Sequence, residues 1–140
     1  MKNKILILAL ASSFSLAVFT ATAADKVDTS KLPPASDKKD LTYDKDIKPI
    51  FEKNCFKCHG EEKQKSKLRL DTLAAVLKGG ENGPNVIPGK SAESTLVHAV
   101  ARISTEEDEH MPPAKKDGTI NAMSKEDVGL IRAWIDQGAK

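Results

Sequence analysis

The sequence predicts an all-α fold with about four helices of uneven length joined by long loops. Three observations support this class. Apolar residues recur at helical spacing in several segments of the 140-residue chain, no alternation of strand period is sustained, and Gly and Pro pairs separate the helical segments. The length allows one domain together with shorter flanking segments.

The chain begins with the pattern of a secretory signal peptide at residues 1–23. Lys2 and Lys4 precede an apolar stretch, and Ala21-Thr22-Ala23 forms a small-residue cleavage site. Because serines interrupt the apolar stretch, a permanent membrane span is not expected. The pattern predicts a periplasmic or otherwise exported protein, and it leaves open whether the signal is cleaved or kept as an anchor.

The segment that follows, residues 24–40, is rich in Lys, Asp, Ser and Pro. Such a composition cannot bury enough apolar surface to order itself, so the segment is predicted to be a flexible linker. The folded domain is then expected to cover residues 41–140.

The first predicted helix has its apolar residues at i, i+4, i+7 and i+8, namely Tyr43, Ile47, Ile50 and Phe51. Pro49 cannot lie deep inside a helix, so the regular part either starts near Asp46 or contains a bend. This helix leads into Cys55 and is expected to end at Gly60.

Three further helices follow from capping and spacing. Asp71-Thr72 can cap a helix from Leu73 to Lys78, and Gly79-Gly80 can end it. Another helix starts at Ser91 or Ala92. The last starts after Ser124, stops at Gly138 and has an apolar stripe made of Val128, Ile131, Trp134 and Ile135.

The segment Cys55-Phe56-Lys57-Cys58-His59 has the spacing of a c-type haem attachment motif. Each thiol can add across one vinyl group of the porphyrin, and the next residue, His59, can then be the proximal iron ligand. The two cysteines are the only ones in the chain. A redox dithiol and half of a zinc site are the alternatives, but His98 and His110 are too widely spaced for the usual second zinc pair.

The second axial position is predicted to be filled by Met111. Pro112 and Pro113 forbid helix after it and hold the backbone extended, which would fix the direction of the sulfur. A thioether favours ferrous iron and suits electron transfer. Met123 and His110 are rival ligands, His98 is a weaker one, and Met111 could instead be a core residue. An open sixth position would indicate a ligand sensor or a peroxidase-like enzyme.

The chain carries 22 basic and 20 acidic side chains, and two of the lysines lie in the signal segment. The rest is therefore balanced in charge, which gives no indication of nucleic-acid binding. Charge is separated locally between an acidic run at residues 106–109 and a basic loop, which comprises Lys57, Lys63, Lys65, Lys67 and Arg69. The basic loop predicts docking on an acidic patch of a redox partner, unless both runs are merely solvated.

Several blocks together resemble the planctomycete-type cytochrome c domain, a branch of the cytochrome c-like fold. The resemblance covers about residues 43–139. Its blocks are Ile50-Phe51, the haem motif with Gly60, Lys63 to Lys65, Leu68 to Thr72, Lys78 to Glu81, Gly83-Pro84, Ile87 to Gly89, Ser94, Leu96, Met111 to Pro113 and Trp134 to Ala139.

The resemblance implies a mainly helical domain wrapped around one covalent haem c, with His59 and Met111 as axial ligands. One departure concerns Ser66-Lys67, where the family usually has a glycine pair, and it bears on the conformation of this loop and not on the haem. We expect an exported carrier of single electrons between larger redox partners. It is not expected to be an enzyme, because no residue is predicted to act as a general base or nucleophile.

Overall fold

The computed structural model describes residues 27–140, and this part of the chain is all-α. Its five α-helices are α1 (Lys48–Asn54), α2 (Phe56–His59), α3 (Leu73–Lys78), α4 (Thr95–Val100) and α5 (Lys125–Asp136). Within residues 27–140 extended pairing is limited to two isolated bridges, His59 with Gln64 and Gly80 with Gly83. The predicted fold class is therefore confirmed, with five helices where about four were expected.

The extra helix arises because the first predicted helix is broken at Cys55. Its backbone (φ −125°, ψ −37°) leaves the helical region and separates α1 from α2. Pro49 lies in the first turn of α1, where a missing N–H costs nothing. Residues Tyr43–Ile47 form a π-helical turn ahead of it. The regular helix therefore begins at Lys48, close to the predicted start near Asp46.

Two predicted helix starts are confirmed by their caps. The Thr72 hydroxyl accepts a hydrogen bond from the N–H of Ala75, and the Ser124 hydroxyl accepts one from the N–H of Asp127. The start of α4 differs from the expected Ser91 or Ala92. Residues Ser91–Glu93 form a short 3-10 helix instead, and α4 begins at Thr95.

The core lies between the Tyr43–Asn54 segment, α4 and α5. Tyr43 is its aromatic centre, with ring centroids 6.4 Å from Phe51 and 6.0 Å from Trp134. All three rings are buried. Further buried apolar side chains complete this core, among them Ile47, Val76, Val86, Val97, Val128, Ile131 and Ile135.

The segment predicted to be a flexible linker contacts α5 in the structure. The N–H of Ser36 donates to the carbonyl of Gly129 (2.9 Å), and the Gln137 amide donates to the carbonyl of Lys38 (2.8 Å). Arg132 also donates to the carbonyl of Pro33. A flexible linker was not expected to have these hydrogen bonds. The start of the domain at residue 41 stays a prediction.

The predicted signal peptide, residues 1–23, lies outside the described residues. Among the helices of residues 27–140, none combines the length and the apolar content that crossing a bilayer requires.

Candidate haem site

The predicted attachment motif forms one tight helical turn. The N–H groups of Cys58 and His59 both donate to the carbonyl of Cys55, at 3.0 and 2.9 Å. Cys55 and Cys58 are free thiols, both half-buried, and Cys55 packs against the hydrophobic core. The structure therefore brings the two cysteines and His59 together in a single turn at the edge of the core.

The Cys55 thiol is held in its protonated form. Burial, followed by the neighbouring Cys58, raises the pKa of Cys55 to about 12. A redox-active dithiol needs a cysteine with a lowered pKa, because the thiolate is the reactive species. Cys55 therefore lacks the environment of a reactive thiol.

A zinc site would need further donors near the same turn. Among residues 27–140, no three His, Cys, Asp or Glu side chains come close enough together to hold a metal ion. Cys55, Cys58 and His59 share one turn of the chain, but their side chains do not form such a group, and the turn supplies no fourth ligand.

The His59 imidazole fits a proximal ligand. Its residue is 9% exposed, and its Nδ1 atom is buried without a hydrogen-bond partner among residues 27–140. Burial lowers the pKa of His59, which favours the neutral ring that binds metals. A buried polar atom is costly without a partner, and a metal ion bound by this ring would supply one.

The backbone of His59 is held by a chain of two hydrogen bonds that ends in the core. The N–H of Leu70 donates to the carbonyl of His59 (2.8 Å), and the Tyr43 hydroxyl donates to the carbonyl of Leu70 (2.6 Å). Burial raises the pKa of Tyr43, with a smaller contribution from Asp71, so the hydroxyl stays protonated. Sequence reasoning placed Tyr43 on an apolar face, and no local pattern indicates a partner 27 residues away.

Two residues in the loop between His59 and Leu70 have the left-handed conformation that glycine favours, although neither of them is glycine. Ser66 and Lys67, where the resembled family usually has a glycine pair, have positive φ angles of 51° and 56°. The carbonyl of Ser66 accepts a hydrogen bond from the N–H of Glu81 (2.8 Å). A Cβ atom on Gly80 would lie 2.8 Å from that carbonyl oxygen, so Gly80 is required for this close approach.

Met111 is half-buried and packs against the same core as Cys55. Its N–H donates to the carbonyl of Ala99 (3.0 Å) at the end of α4. The Arg102 guanidinium donates to the carbonyl of Pro112 (3.0 Å). The backbone on both sides of the predicted sixth ligand is thus fixed to the same helix end, and Arg102 was not identified from the sequence.

The rival ligands have other partners in the structure. A ring nitrogen of His98 is 2.8 Å from the carbonyl of Ala92, and one of His110 is 3.1 Å from the carbonyl of Ser104. Met123 is a core residue with 9% exposure. It also lines an open cleft of about 650 Å³ with Asn54 and Ile120.

The predicted basic loop is exposed at its four lysines. Arg69 differs, because its guanidinium makes a two-point pair with Asp71 at 2.9 and 2.5 Å. That pair cancels its charge locally, so the basic surface rests on the lysines alone. The acidic run at residues 106–109 is also exposed.

A family model described as Planctomycete cytochrome C matches residues 55–115. The match includes both the attachment turn and Met111. The match supports a planctomycete-type cytochrome c domain in this part of the chain. The match supports covalently bound haem c and haem-based electron transfer, and Cys55 and Cys58 are present for the attachment. Comparison with curated proteins and with solved structures yields no significant match.

Proposed function

We propose that this protein is an exported mono-haem c-type cytochrome that carries single electrons between larger redox partners. The observation that carries the proposal is the turn at residues 55–59, which unites two free thiols with a buried, neutral histidine whose Nδ1 lacks a partner. The family match covers the same turn.

Each site residue has one role in this proposal. Cys55 and Cys58 would hold the porphyrin through thioether bonds, and His59 and Met111 would bind its iron. Bound haem supplies the redox chemistry, because its iron gains and loses one electron. Met111 is preferred over His98 and His110 because its backbone is fixed on both sides at the end of α4 and because Pro112 and Pro113 hold the chain after it extended.

Covalent attachment is tested by producing the protein with the c-type haem assembly machinery. We expect its colour to survive acid-acetone extraction and denaturing electrophoresis, with a mass increase of one haem. Cys55→Ala and Cys58→Ala should each weaken the attachment. A wild-type protein that loses all its haem to acid-acetone would exclude the proposal.

Partner docking is proposed to use the four exposed lysines of the basic loop. Haem bound through Cys55 and Cys58 would expose its edge near these thioethers, so the lysines would surround the electron exit. A partner with an acidic patch would then associate faster, and salt would weaken the association.

The docking test reverses Lys63, Lys65 and Lys67 to glutamate. Reversal of Lys39, Lys45 and Lys140, which are exposed outside the basic loop, changes the net charge equally. We expect only the first triple variant to slow electron transfer and flatten its dependence on ionic strength. Equal rates and equal salt slopes in the two variants would leave the lysines as a solvated surface.

A further inference from the structure

Arg102 lies at the end of α4 in a conformation that disfavours its residue type. Its φ angle is +57°, in the left-handed region where a side chain with a Cβ atom is strained. Glycine would adopt the same conformation without this cost. The conformation closes α4, because the N–H of Arg102 donates to the carbonyl of Ala99 and the N–H of Ile103 donates to the carbonyl of His98.

The Arg102 side chain has one hydrogen-bond partner among residues 27–140, the carbonyl of Pro112. Four carboxylates follow at residues 106–109, yet in the described part of the chain none of them forms an ion pair with this guanidinium. A charged donor thus binds a neutral carbonyl one residue beyond Met111. Hydrogen bonds from charged donors are stronger than those between neutral groups.

The same helix end also fixes the other side of Met111. The carbonyl of Ala99 accepts hydrogen bonds from the N–H groups of both Arg102 (3.1 Å) and Met111 (3.0 Å). Residues 103–110 therefore form a loop whose two ends are joined at α4. Beyond Pro112, the hydrogen bonds of residues 115–119 are all made within that short turn.

We propose that Arg102 is a positioning residue, which holds the Met111-Pro112 backbone so that the Met111 thioether stays on the iron. This inference rests on the proposed His59 and Met111 ligation. Without the guanidinium, the segment beyond Met111 would have only local bonds. The methionine would then leave the iron more often and admit external ligands.

The test measures the rate of cyanide binding to the ferric holoprotein, because cyanide enters when the methionine leaves. We expect Arg102→Ala to accelerate binding about tenfold, the effect of losing one hydrogen bond from a charged donor. Arg102→Lys should have an intermediate rate, since it keeps a charged donor. The matched control is Arg132→Ala, which also removes a guanidinium that donates to a proline carbonyl, that of Pro33.

Arg102→Gly separates positioning from stability. It removes the guanidinium but also relieves the strain at φ +57°. We expect Arg102→Gly to unfold at a higher temperature than Arg102→Ala and yet to bind cyanide as fast. If Arg102→Gly recovers the slow wild-type rate, or if Arg132→Ala accelerates binding equally, the effect is one of stability and the inference is wrong.

Met111→Ala distinguishes this inference from the proposed ligation. If Met111→Ala binds cyanide much faster than wild type and Arg102→Ala does not, only the role of Arg102 is overturned. If Met111→Ala leaves the rate unchanged, Met111 is not the ligand, and the proposed ligation and the role of Arg102 both fail.

Discussion

The two segments that supply the predicted iron ligands are held in very different ways. His59 is buried, lies in a helical turn that begins at the half-buried Cys55, and is tied through Leu70 to the buried Tyr43. Met111 is half-buried, and the chain from residue 113 to residue 122 is exposed. We call the Cys55–His59 turn with its contacts the proximal side, and residues 111–122 the distal side. The proximal side is part of the core, whereas the distal side is attached to it at the end of α4.

This difference indicates where the protein can open without unfolding. Local opening follows regions with few buried contacts and exposed backbone hydrogen bonds. We therefore expect the Met111 segment to move first and the Cys55–His59 turn to move only with the whole domain. A Cys55–His59 turn that moves only with the whole domain would keep the haem of an electron carrier in place. Opening of the Met111 segment would leave the sixth position of the iron open, and for that reason the ligation by Met111 needs a direct test.

The largest expected effect comes from the same truncation made on both sides. Ile47 is fully buried under the proximal side, and Ile120 is 54% exposed in the distal segment. Ile47→Ala should lower the free energy of unfolding by about 2–5 kcal/mol, because it leaves a cavity. Ile120→Ala should change it by less than about 0.5 kcal/mol. Denaturant titration of both variants measures this, and equal losses would contradict the comparison.

A smaller effect is expected from Tyr43→Phe, which removes one hydroxyl on the proximal side. The carbonyl of Leu70 would be left buried without that donor, at a cost of about 1–2 kcal/mol in unfolding free energy. Thermal unfolding of the holoprotein measures the loss. Unchanged stability would show that the link from Tyr43 to the His59 backbone contributes nothing.

The same variant should also change the stability at alkaline pH. The pKa of Tyr43 is raised in the folded protein, so above about pH 10 the unfolded chain binds fewer protons and is favoured. The wild type should therefore lose stability as the pH rises above about 10, and Tyr43→Phe should lose less over that range. Parallel pH curves for the two proteins would mean that Tyr43 is not a buried, protonated group.

The smallest effect is expected in the loop between the two sides. Ser66→Gly and Lys67→Gly should each raise the unfolding free energy by about 0.5 kcal/mol, because relief of the left-handed strain exceeds the entropy cost of glycine. Lys63→Gly is the control. Its φ is not positive, so it should lower stability by a similar amount. Destabilisation by all three changes would contradict the backbone conformation described for this loop.

Local signals in the sequence predicted local structure well. Thr72 and Ser124 cap their helices as expected, because an N-cap depends on residues only two or three positions away. The break at Cys55 was missed, since neither Gly nor Pro marks it. The contact of Tyr43 with Leu70, 27 residues away, depends on how the folded chain brings the two together, which periodicity does not encode.

For the site, the sequence supplied the candidate residues but not what fixes them. The spacing of Cys55, Cys58 and His59 is encoded within five residues, and the structure gathers them in one turn. The ligand role of Met111 stays a prediction. Its anchoring by Arg102 has no sequence signature, because the left-handed position after a helix is usually glycine and an arginine does not mark it.

The proposed ligation by His59 and Met111 is tested most directly by the far-red absorption of the ferric holoprotein. A methionine-ligated haem has a weak sulfur-to-iron charge-transfer band in this region. We expect the band in the wild type and in Met123→Ala, and its loss in Met111→Ala. If the band survives in Met111→Ala and disappears in Met123→Ala, the ligand is Met123 and not Met111. A wild-type spectrum typical of two histidine ligands would contradict the proposed ligation altogether.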